Sequence, residues 1–195
     1  MSSAVWLTGV TGVLIVLAHI LNPEISPRFR MMSELSLGRF GWVMDLAFGA
    51  WMVAHLVLAW AMLPFVPVSL AVLLGVVGLL QGAAGYFRTD PVVTPARKAS
   101  RARRWHYFAA IGYIVGFPLV VLALSVSLWA GGYPMARRAS LLAIPVWATF
   151  LLFIFFLVRW RRQGLDIARD VPLGLPNRLF VLAYLGWLFG MALKV

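Results

Sequence analysis

Six long apolar runs constrain this chain more than any other feature of its sequence. They cover residues 4–21, 41–63, 66–87, 107–130, 141–158 and 179–193. A helix needs about 20 apolar residues to cross a hydrocarbon core of about 30 Å, and each run is near that length. No run alternates with the period of a strand, and all are too long for barrel strands. We therefore predict an all-α membrane bundle of six transmembrane helices, forming one domain over residues 1–195.

Composition supports a membrane protein and excludes several other classes. The chain is 63% hydrophobic and 12% charged, far from the composition of a soluble domain. Its net charge of +11 would suggest nucleic acid in a soluble protein, but in a multi-span protein basic residues set topology and contact anionic headgroups. We therefore expect membrane lipids as partners and no nucleic acid. The absence of cysteine excludes disulfides and thiolate chemistry.

The first run is predicted to remain as a membrane span. No basic side chain precedes it, and no small-residue cleavage site follows it before Asn22, so it lacks the features of a signal peptide.

Basic residues are concentrated in the loops that follow the first, third and fifth runs. These loops carry fourteen of the seventeen Lys and Arg residues, and the other three are Arg137, Arg138 and Lys194. Because short cytoplasmic loops collect positive charge, we predict that the three basic loops lie in the cytoplasm. Both termini would then lie on the non-cytoplasmic side of the cell (inner) membrane.

The acidic residues share the same predicted side of the membrane. They are Glu24, Glu34, Asp45, Asp90, Asp166 and Asp170. Since Asp and Glu contribute little to orientation, their one-sided distribution needs another cause. Pairing with arginines is one explanation for Asp166 and Asp170, and a polar site is the interpretation for the other four.

Asp45 is the strongest indication of such a site. It lies about one turn inside the second run, where an ionisable side chain costs a few kcal/mol unless it is paired or faces the bundle interior. Other polar residues fall at the same predicted level: His19, Ser33, Glu34, Thr89, Asp90, His106, Asn177 and Arg178. Structural roles are also open for several of them, such as a helix cap at Ser33 or Ser36, a helix cap at Asn177 and an Asp-Pro turn at Asp90. Their common level predicts a shared pocket.

No established catalytic or cofactor motif is present. The chain lacks HExxH, GxSxG, a P-loop and a glycine-rich dinucleotide fingerprint. Its histidines, His19, His55 and His106, are metal or haem candidates only if they meet across helices. His55 is also explained as an interhelical polar residue. The cofactor therefore stays unknown at this stage.

Glycines recur along the third and fourth runs at spacings that favour close helix packing. They are Gly75, Gly78, Gly82, Gly85, Gly112 and Gly116. Small residues at these intervals let helix backbones approach each other, so we predict a tightly packed bundle.

The order of several motifs resembles a known family. These are SPRFRMMSELSLGRFGWVMDLAF, GAAGYFRTDPVVTP, a histidine opening the next run, and GLPNRLFVLAYLGWLFGMAL. Together they resemble the domain-of-unknown-function 998 family of prokaryotic six-span membrane proteins, over essentially the whole chain. The resemblance singles out Ser33, Glu34, Leu35, Thr89, Asp90, Pro91 and His106. The chain departs from the family pattern at Arg88, where proline is usual, and by a basic insertion before His106.

We hypothesise that the polar site opens to the cytoplasmic headgroup region and binds or modifies a lipid or isoprenoid-like molecule. Asp90 and His106 would handle the head group, since a histidine beside a carboxylate suits acid–base chemistry. Ser33, Glu34 and Asp45 complete the predicted catalytic set. The predicted substrate-binding residues are Arg178, Asn177, Thr89 and His19. An enzyme of this kind would be a hydrolase or transferase acting on a lipid head group.

Other functional classes stay open. The chain could be a non-catalytic subunit or stabiliser of a larger membrane complex, in which case a membrane-protein partner should co-purify in stoichiometric amount. A haem b protein, recognisable by a Soret band, and a transporter are further alternatives.

Overall fold

The structure is a computed structural model that describes residues 3–91, 94, 96–163 and 172–194. Six α-helices form the chain over these residues: α1 Ser3–Leu21, α2 Gly41–Met62, α3 Val68–Tyr86, α4 Arg101–Ala130, α5 Ala136–Gln163 and α6 Gly174–Ala192. Short 3-10 helices occupy Met32–Leu37 and Ala96–Lys98. All six α-helices are long and apolar enough to cross a membrane, so the predicted all-α, six-span fold is confirmed.

Three helices extend beyond their apolar runs. α4 begins at Arg101 rather than at residue 107, because the Ser100 hydroxyl caps it by accepting the Arg103 N–H at 3.0 Å. α5 runs from Ala136 to Gln163, whereas the apolar run covers 141–158. Arg and Gln are good helix formers, so a helix continues where the apolar run has ended.

α6 begins at Gly174 rather than at residue 179. Asn177 therefore lies inside the first turn, and the alternative that it caps the helix is wrong. Its side chain is instead used in a contact with the first loop, described below.

The helices pack in chain order, and α6 returns to α1 and also contacts α2. Large aromatic side chains from three helices fill the interior: Trp51, Phe117, Tyr184 and Trp187 are each at most 2% exposed. The rings of Phe117 and Tyr184 are 4.4 Å apart between centroids, which joins α4 to α6. This aromatic interior therefore packs α2, α4 and α6 together.

α2 and α3 approach each other closely along the glycine face of α3. A Cβ atom built at Gly82 would overlap the side chain of Met52, and one at Gly85 would overlap Phe48. The predicted close packing by glycines is therefore confirmed at these positions. Gly49 of α2, in contrast, has nothing within 4 Å of a built Cβ, so open space lies beside this residue.

Within the described part of the chain, the polar residues named above as site candidates, apart from His55, lie at one end of the bundle, which we call the arginine-rich end. Its contacts join the end of α1 to the start of α6 through His19 and Arg178. They also join the start of α2 to the end of α3 through Asp45 and Arg88. At the opposite end the Trp129 indole N–H donates to the Ser140 hydroxyl at 2.7 Å.

Candidate functional site

Arg178 fastens α6 to α1 and to the first loop. Its Nε donates to Nε2 of His19 at 2.8 Å. Its Nη1 donates to the carbonyl oxygens of Arg30 at 2.7 Å and of Gly174 at 3.0 Å. One guanidinium therefore donates to acceptors in α1, in the first loop and in α6. It can do so because it has five N–H donors in a fixed planar arrangement.

This contact decides the tautomer of His19. Because arginine can only donate, Nε2 of His19 must accept, so this nitrogen carries no hydrogen. Nδ1 lies 2.8 Å from the Ile15 carbonyl oxygen and must be the protonated nitrogen. Both ring nitrogens of the neutral His19 are thus hydrogen-bonded. Metal binding through Nε2 would require the hydrogen bond from Arg178 to be broken.

Glu34 holds the 3-10 helix of the first loop in shape. Its carboxylate accepts the Met31 N–H at 2.9 Å and pairs with Arg30 at 2.8 Å. The side chain is 1% exposed, so this charge is compensated inside the protein.

Asn177 ties the same loop to α6. Its Oδ1 accepts the Met32 N–H at 2.7 Å, across 145 residues of sequence. Ser33 lies half-buried on this 3-10 helix, which has no side-chain cap from Ser33 or Ser36. The backbone of the first loop also approaches the start of α6 closely, because the Gly174 N–H donates to the Arg28 carbonyl oxygen at 3.0 Å.

Asp90 anchors the segment that leads into α4. Its Oδ2 accepts the Ser100 N–H at 2.7 Å, and this hydrogen bond lowers the pKa of the Asp90 carboxyl group below its ordinary value. The neighbouring Thr89 hydroxyl donates to the Asp90 carbonyl oxygen at 3.0 Å. Asp90 therefore accepts a backbone donor, as expected for a turn, although the donor lies ten residues further along the chain.

His106 joins α4 to the end of α3. Its Nδ1 lies 2.7 Å from the Ala84 carbonyl oxygen and 3.0 Å from that of Phe87, so Nδ1 is the donor. Within the described part of the chain, no hydrogen bond connects Asp90 with His106. The two residues of the predicted acid–base pair each bind backbone groups instead.

A third polar group lies between α2 and α3. Arg88 Nη2 and Asp45 Oδ2 form an ion pair at 2.5 Å, with side chains that are 57% and 28% exposed. Both residues line an open cavity of about 390 Å³, which we call the α2–α3 crevice. The crevice is lined by Asp45, Phe48, Gly49, Met52, Gly82, Gly85, Tyr86 and Arg88.

Only one oxygen of the Asp45 carboxylate is paired. Oδ1 is buried and has no hydrogen-bond partner among the described residues. The crevice thus combines an exposed guanidinium, an incompletely satisfied carboxylate and an apolar wall.

Aromatic and basic side chains lie at the end of α3 and in the segment that follows it. Tyr86 is 82% exposed, and Trp105, 52% exposed, stacks on Phe87 at 6.2 Å between centroids. Exposed aromatic rings of this kind are typical of the membrane–water interface. A second cavity of about 390 Å³ in the adjacent basic segment is lined by Arg97, Ala99, Arg103, Arg104 and Tyr107.

Comparison with known proteins identifies the family. The family described as "Protein of unknown function (DUF998)" matches residues 5–194. The chain belongs to the DUF998 family. The resemblance seen in the sequence motifs is therefore confirmed. No curated protein and no solved structure matches this DUF998 protein, so its function must be argued from its own residues.

The described part of the DUF998 protein contains no group of three His, Asp or Glu side chains able to hold a metal ion. Its three histidines lie in separate surroundings. His55 is fully buried in the aromatic interior, where Nδ1 lies 2.9 Å from the Trp51 carbonyl oxygen. Asp166 and Asp170 lie outside the described residues.

Sequence reasoning missed three residues that shape this end of the DUF998 protein. Arg88 is notable in the sequence as a topology signal and as a departure from the family pattern, and not as the cationic partner that Asp45 requires inside an apolar run. Arg30 precedes Glu34 by one helical turn, a spacing that could have indicated their ion pair. Asn22, which is fully buried, accepts the Phe40 N–H at 3.0 Å, and no local pattern signals this contact.

Proposed function

We propose that this protein binds a membrane lipid with an anionic group in the α2–α3 crevice. The lipid head group would lie at the Asp45–Arg88 pair and its chain along the apolar wall. The observation that carries the proposal is an open, mainly apolar crevice with an exposed arginine in its lining.

Arg88 has the chemistry that an anionic head group requires. A guanidinium has five N–H donors in a planar fork that matches a phosphate, and Arg88 uses one nitrogen for Asp45. Because its side chain is 57% exposed, further donors are accessible from the interfacial region. A phosphate there would receive charge-assisted hydrogen bonds, which are about twice as strong as neutral ones.

The rest of the crevice suits an apolar chain. Phe48 and Met52 supply apolar side chains, and the glycines of α3 expose little polar surface. Its volume of about 390 Å³ is within the range of roughly 300–1,000 Å³ that is typical of ligand sites. Leu46 and Leu79 on the flanking helices are 54% and 52% exposed, as expected for helix faces that meet lipid. A lipid could therefore enter sideways from the bilayer.

The other two polar groups favour a structural role. Arg178, His19 and Asn177 direct their hydrogen bonds to the protein itself. Asp90 and His106 likewise bind backbone groups near the start of α4. Of the predicted catalytic residues, only Asp45 lines the crevice, where it pairs with Arg88, the proposed ligand contact.

Removing the Arg88 charge tests the proposal. We expect Arg88→Gln to lower the amount of lipid that co-purifies with the full chain about tenfold, equivalent to about 1.4 kcal/mol of binding energy. Native mass spectrometry of protein extracted in mild detergent measures the bound lipid. Arg39→Gln is the matched control, since Arg39 is an exposed arginine of the preceding loop that does not line the crevice.

A second variant tests the apolar part of the crevice without changing charge. Gly49→Leu should displace the lipid chain from the crevice. Nothing lies within 4 Å of a Cβ atom built at Gly49, so the protein has room for a side chain at this position. If Arg88→Gln and Gly49→Leu both retain the wild-type amount of lipid, the crevice is not the binding site.

We also propose that the arginine-rich end faces the cytoplasm, with both termini on the opposite side of the cell membrane. The basic residues around Arg97, Arg103 and Arg104 would then contact the anionic headgroups of the cytoplasmic leaflet. This orientation follows the positive-inside rule.

Because the chain has no cysteine, single introduced cysteines test the orientation directly. A membrane-impermeant maleimide should label Arg137→Cys in intact cells, and label Lys98→Cys only after the membrane is opened. Labelling of Lys98→Cys in intact cells, with Arg137→Cys protected, would reverse the proposed orientation.

A further inference from the structure

The second cavity, at the start of α4, has a lining dominated by arginine, and we call it the basic cavity. Arg97, Arg103 and Arg104 line it together with Ala99 and Tyr107. Over the residues that the structure describes, no carboxylate lines the cavity and none forms an ion pair with its arginines. The basic cavity also shares no lining residue with the α2–α3 crevice, so different variants test the two cavities.

Arg103 is held in place by the protein, unlike a side chain in a solvated run of charges. Its Nη1 donates to the Thr94 carbonyl oxygen at 2.6 Å, and its guanidinium carbon lies 4.9 Å from the centroid of the Tyr107 ring. Arg103 is only 8% exposed, whereas Arg97 and Arg104 are exposed. The cavity thus combines one preorganised cation in its wall with two cations that a ligand can reach.

Asp90 fixes the backbone on which the basic cavity is built. Its Oδ2 accepts the Ser100 N–H at 2.7 Å, and the Ser100 hydroxyl accepts the Arg103 N–H at 3.0 Å. Asp90 itself does not line the cavity. It is therefore a positioning residue, which orients the first turn of α4 without contacting the ligand.

The charge of the cavity favours a strongly anionic ligand. Three guanidinium groups around one space repel each other, and an anion bound among them offsets this repulsion. Their planar N–H donors match phosphate oxygens. A phosphodiester carries one negative charge, whereas a phosphomonoester, whose second pKa is about 6, carries nearly two at pH 7. The second charge is attracted by the same three cations, so a phosphomonoester should bind more tightly.

We propose that the basic cavity binds a phosphate group with two negative charges, as in a phosphomonoester. This site is additional to the lipid site proposed in the α2–α3 crevice. Arg97 and Arg104 donate to the phosphate, and Arg103 contributes its charge from the wall. Tyr107 is the first residue of the fourth apolar run, so the cavity lies where that run meets the basic segment. Lipids with a terminal phosphate and soluble phosphates both present the required group.

Competition between lipids of matched acyl chains tests the preference for two charges. The full-length protein is reconstituted in phosphatidylcholine nanodiscs that contain equal amounts of phosphatidic acid and phosphatidylglycerol. The buffer is kept at about pH 8, so that the monoester holds both charges. Native mass spectrometry measures the lipid that stays bound after release. We expect phosphatidic acid to be enriched about tenfold over phosphatidylglycerol, equivalent to about 1.4 kcal/mol for the second charge.

Glutamine variants distinguish a defined cavity from general attraction to the basic segment. Arg97→Gln and Arg104→Gln should each reduce the enrichment to about threefold or less, because each removes one of the three cations. Arg101→Gln is the matched control, since Arg101 is an exposed arginine of the same segment that does not line the cavity. It should keep the tenfold enrichment.

Asp90→Ala provides a test with opposite expectations for the two explanations. The substitution makes the protein more positive, so general electrostatic attraction would strengthen the binding of phosphatidic acid. It also removes the acceptor of the Ser100 N–H, so a cavity that depends on this backbone should lose its enrichment.

Inorganic phosphate tests whether a soluble compound is a source of the group. Its effect on the thermal unfolding midpoint is measured in detergent, with chloride at equal ionic strength as the reference. A rise in midpoint that disappears in Arg97→Gln and Arg104→Gln, without enrichment of phosphatidic acid, would support the site and identify a soluble ligand. Enrichment without this rise would support the site and identify a lipid, and both together would show that either source is bound.

Three results would overturn the inference. The first is a wild-type protein that shows neither enrichment of phosphatidic acid nor stabilisation by inorganic phosphate. The second is an equal effect of Arg101→Gln and Arg104→Gln, which would indicate general attraction to the basic segment. The third is stronger enrichment in Asp90→Ala. None of these results depends on Arg88 or Gly49, so they leave the proposed function of the crevice to its own test.

Discussion

Replacing Arg178 by Gln is expected to lower the free energy of unfolding by about 3 kcal/mol. The substitution leaves His19 Nε2 and the carbonyl oxygens of Arg30 and Gly174 without their shared donor. These groups lie at the contact between α1, the first loop and α6, so the closing contact of the bundle is weakened. Arg178→Lys should retain only part of the stability, because a single ammonium cannot reproduce the guanidinium fork.

Thermal unfolding in detergent, followed by tryptophan fluorescence, measures the effect. Arg137→Gln provides the control, since Arg137 is an exposed arginine at the opposite end of the bundle. Equal midpoints for Arg178→Gln and Arg137→Gln would contradict a stabilising role for the Arg178 contacts.

Gly174→Ala should also destabilise the protein, by about 3 kcal/mol. A Cβ atom at Gly174 would overlap the Pro27 carbonyl oxygen, and would lie 2.7 Å from the Arg30 oxygen and 2.8 Å from the Arg28 carbonyl carbon. All three neighbours are backbone atoms, which cannot move aside as the tip of a long side chain can. The first loop would have to separate from α6 and lose the Gly174 N–H bond to Arg28.

Gly186→Ala is the control within the same helix. A Cβ atom at Gly186 meets nothing within 4 Å, and alanine favours a helix over glycine by up to about 1 kcal/mol. Its unfolding midpoint should therefore equal or slightly exceed that of the wild-type protein. Equal unfolding midpoints for Gly174→Ala and Gly186→Ala would contradict the close contact between Gly174 and the backbone of the first loop.

The six helices were predictable because membrane insertion depends on hydropathy summed over about 20 residues. Such a sum is insensitive to individual residues, so the positions of the helix ends were predicted less accurately than the helices themselves. α4 starts at Arg101 because of a single Ser100 cap, and hydropathy does not detect a helix that continues into water.

The polar site was predictable only in part. Asp45 was identifiable because one carboxylate in an apolar run needs compensation. Its partner was not identifiable, because Arg88 and the other arginines of the loop between α3 and α4 have the same effect on topology. Contacts such as Asn177 with Met32 join segments far apart in sequence and leave no local pattern.

The hydrogen-bond partners of His106 could not be predicted from side-chain types. A histidine predicted to lie at the same level as a carboxylate suggests proton transfer, but Nδ1 of His106 is directed at the carbonyl oxygens of Ala84 and Phe87. Every residue has a carbonyl group, so such partners cannot be recognised from residue types.

Entry of a ligand from the bilayer, as proposed for the α2–α3 crevice, changes how affinity should be expressed. A ligand that enters from the bilayer is never diluted into water, so site occupancy depends on its mole fraction among neighbouring lipids. With a tenfold preference, a lipid that forms about one tenth of the membrane would fill about half of the sites. Modest selectivity is then sufficient for the occupied fraction to follow membrane composition, rising and falling as the cell changes its lipid mixture.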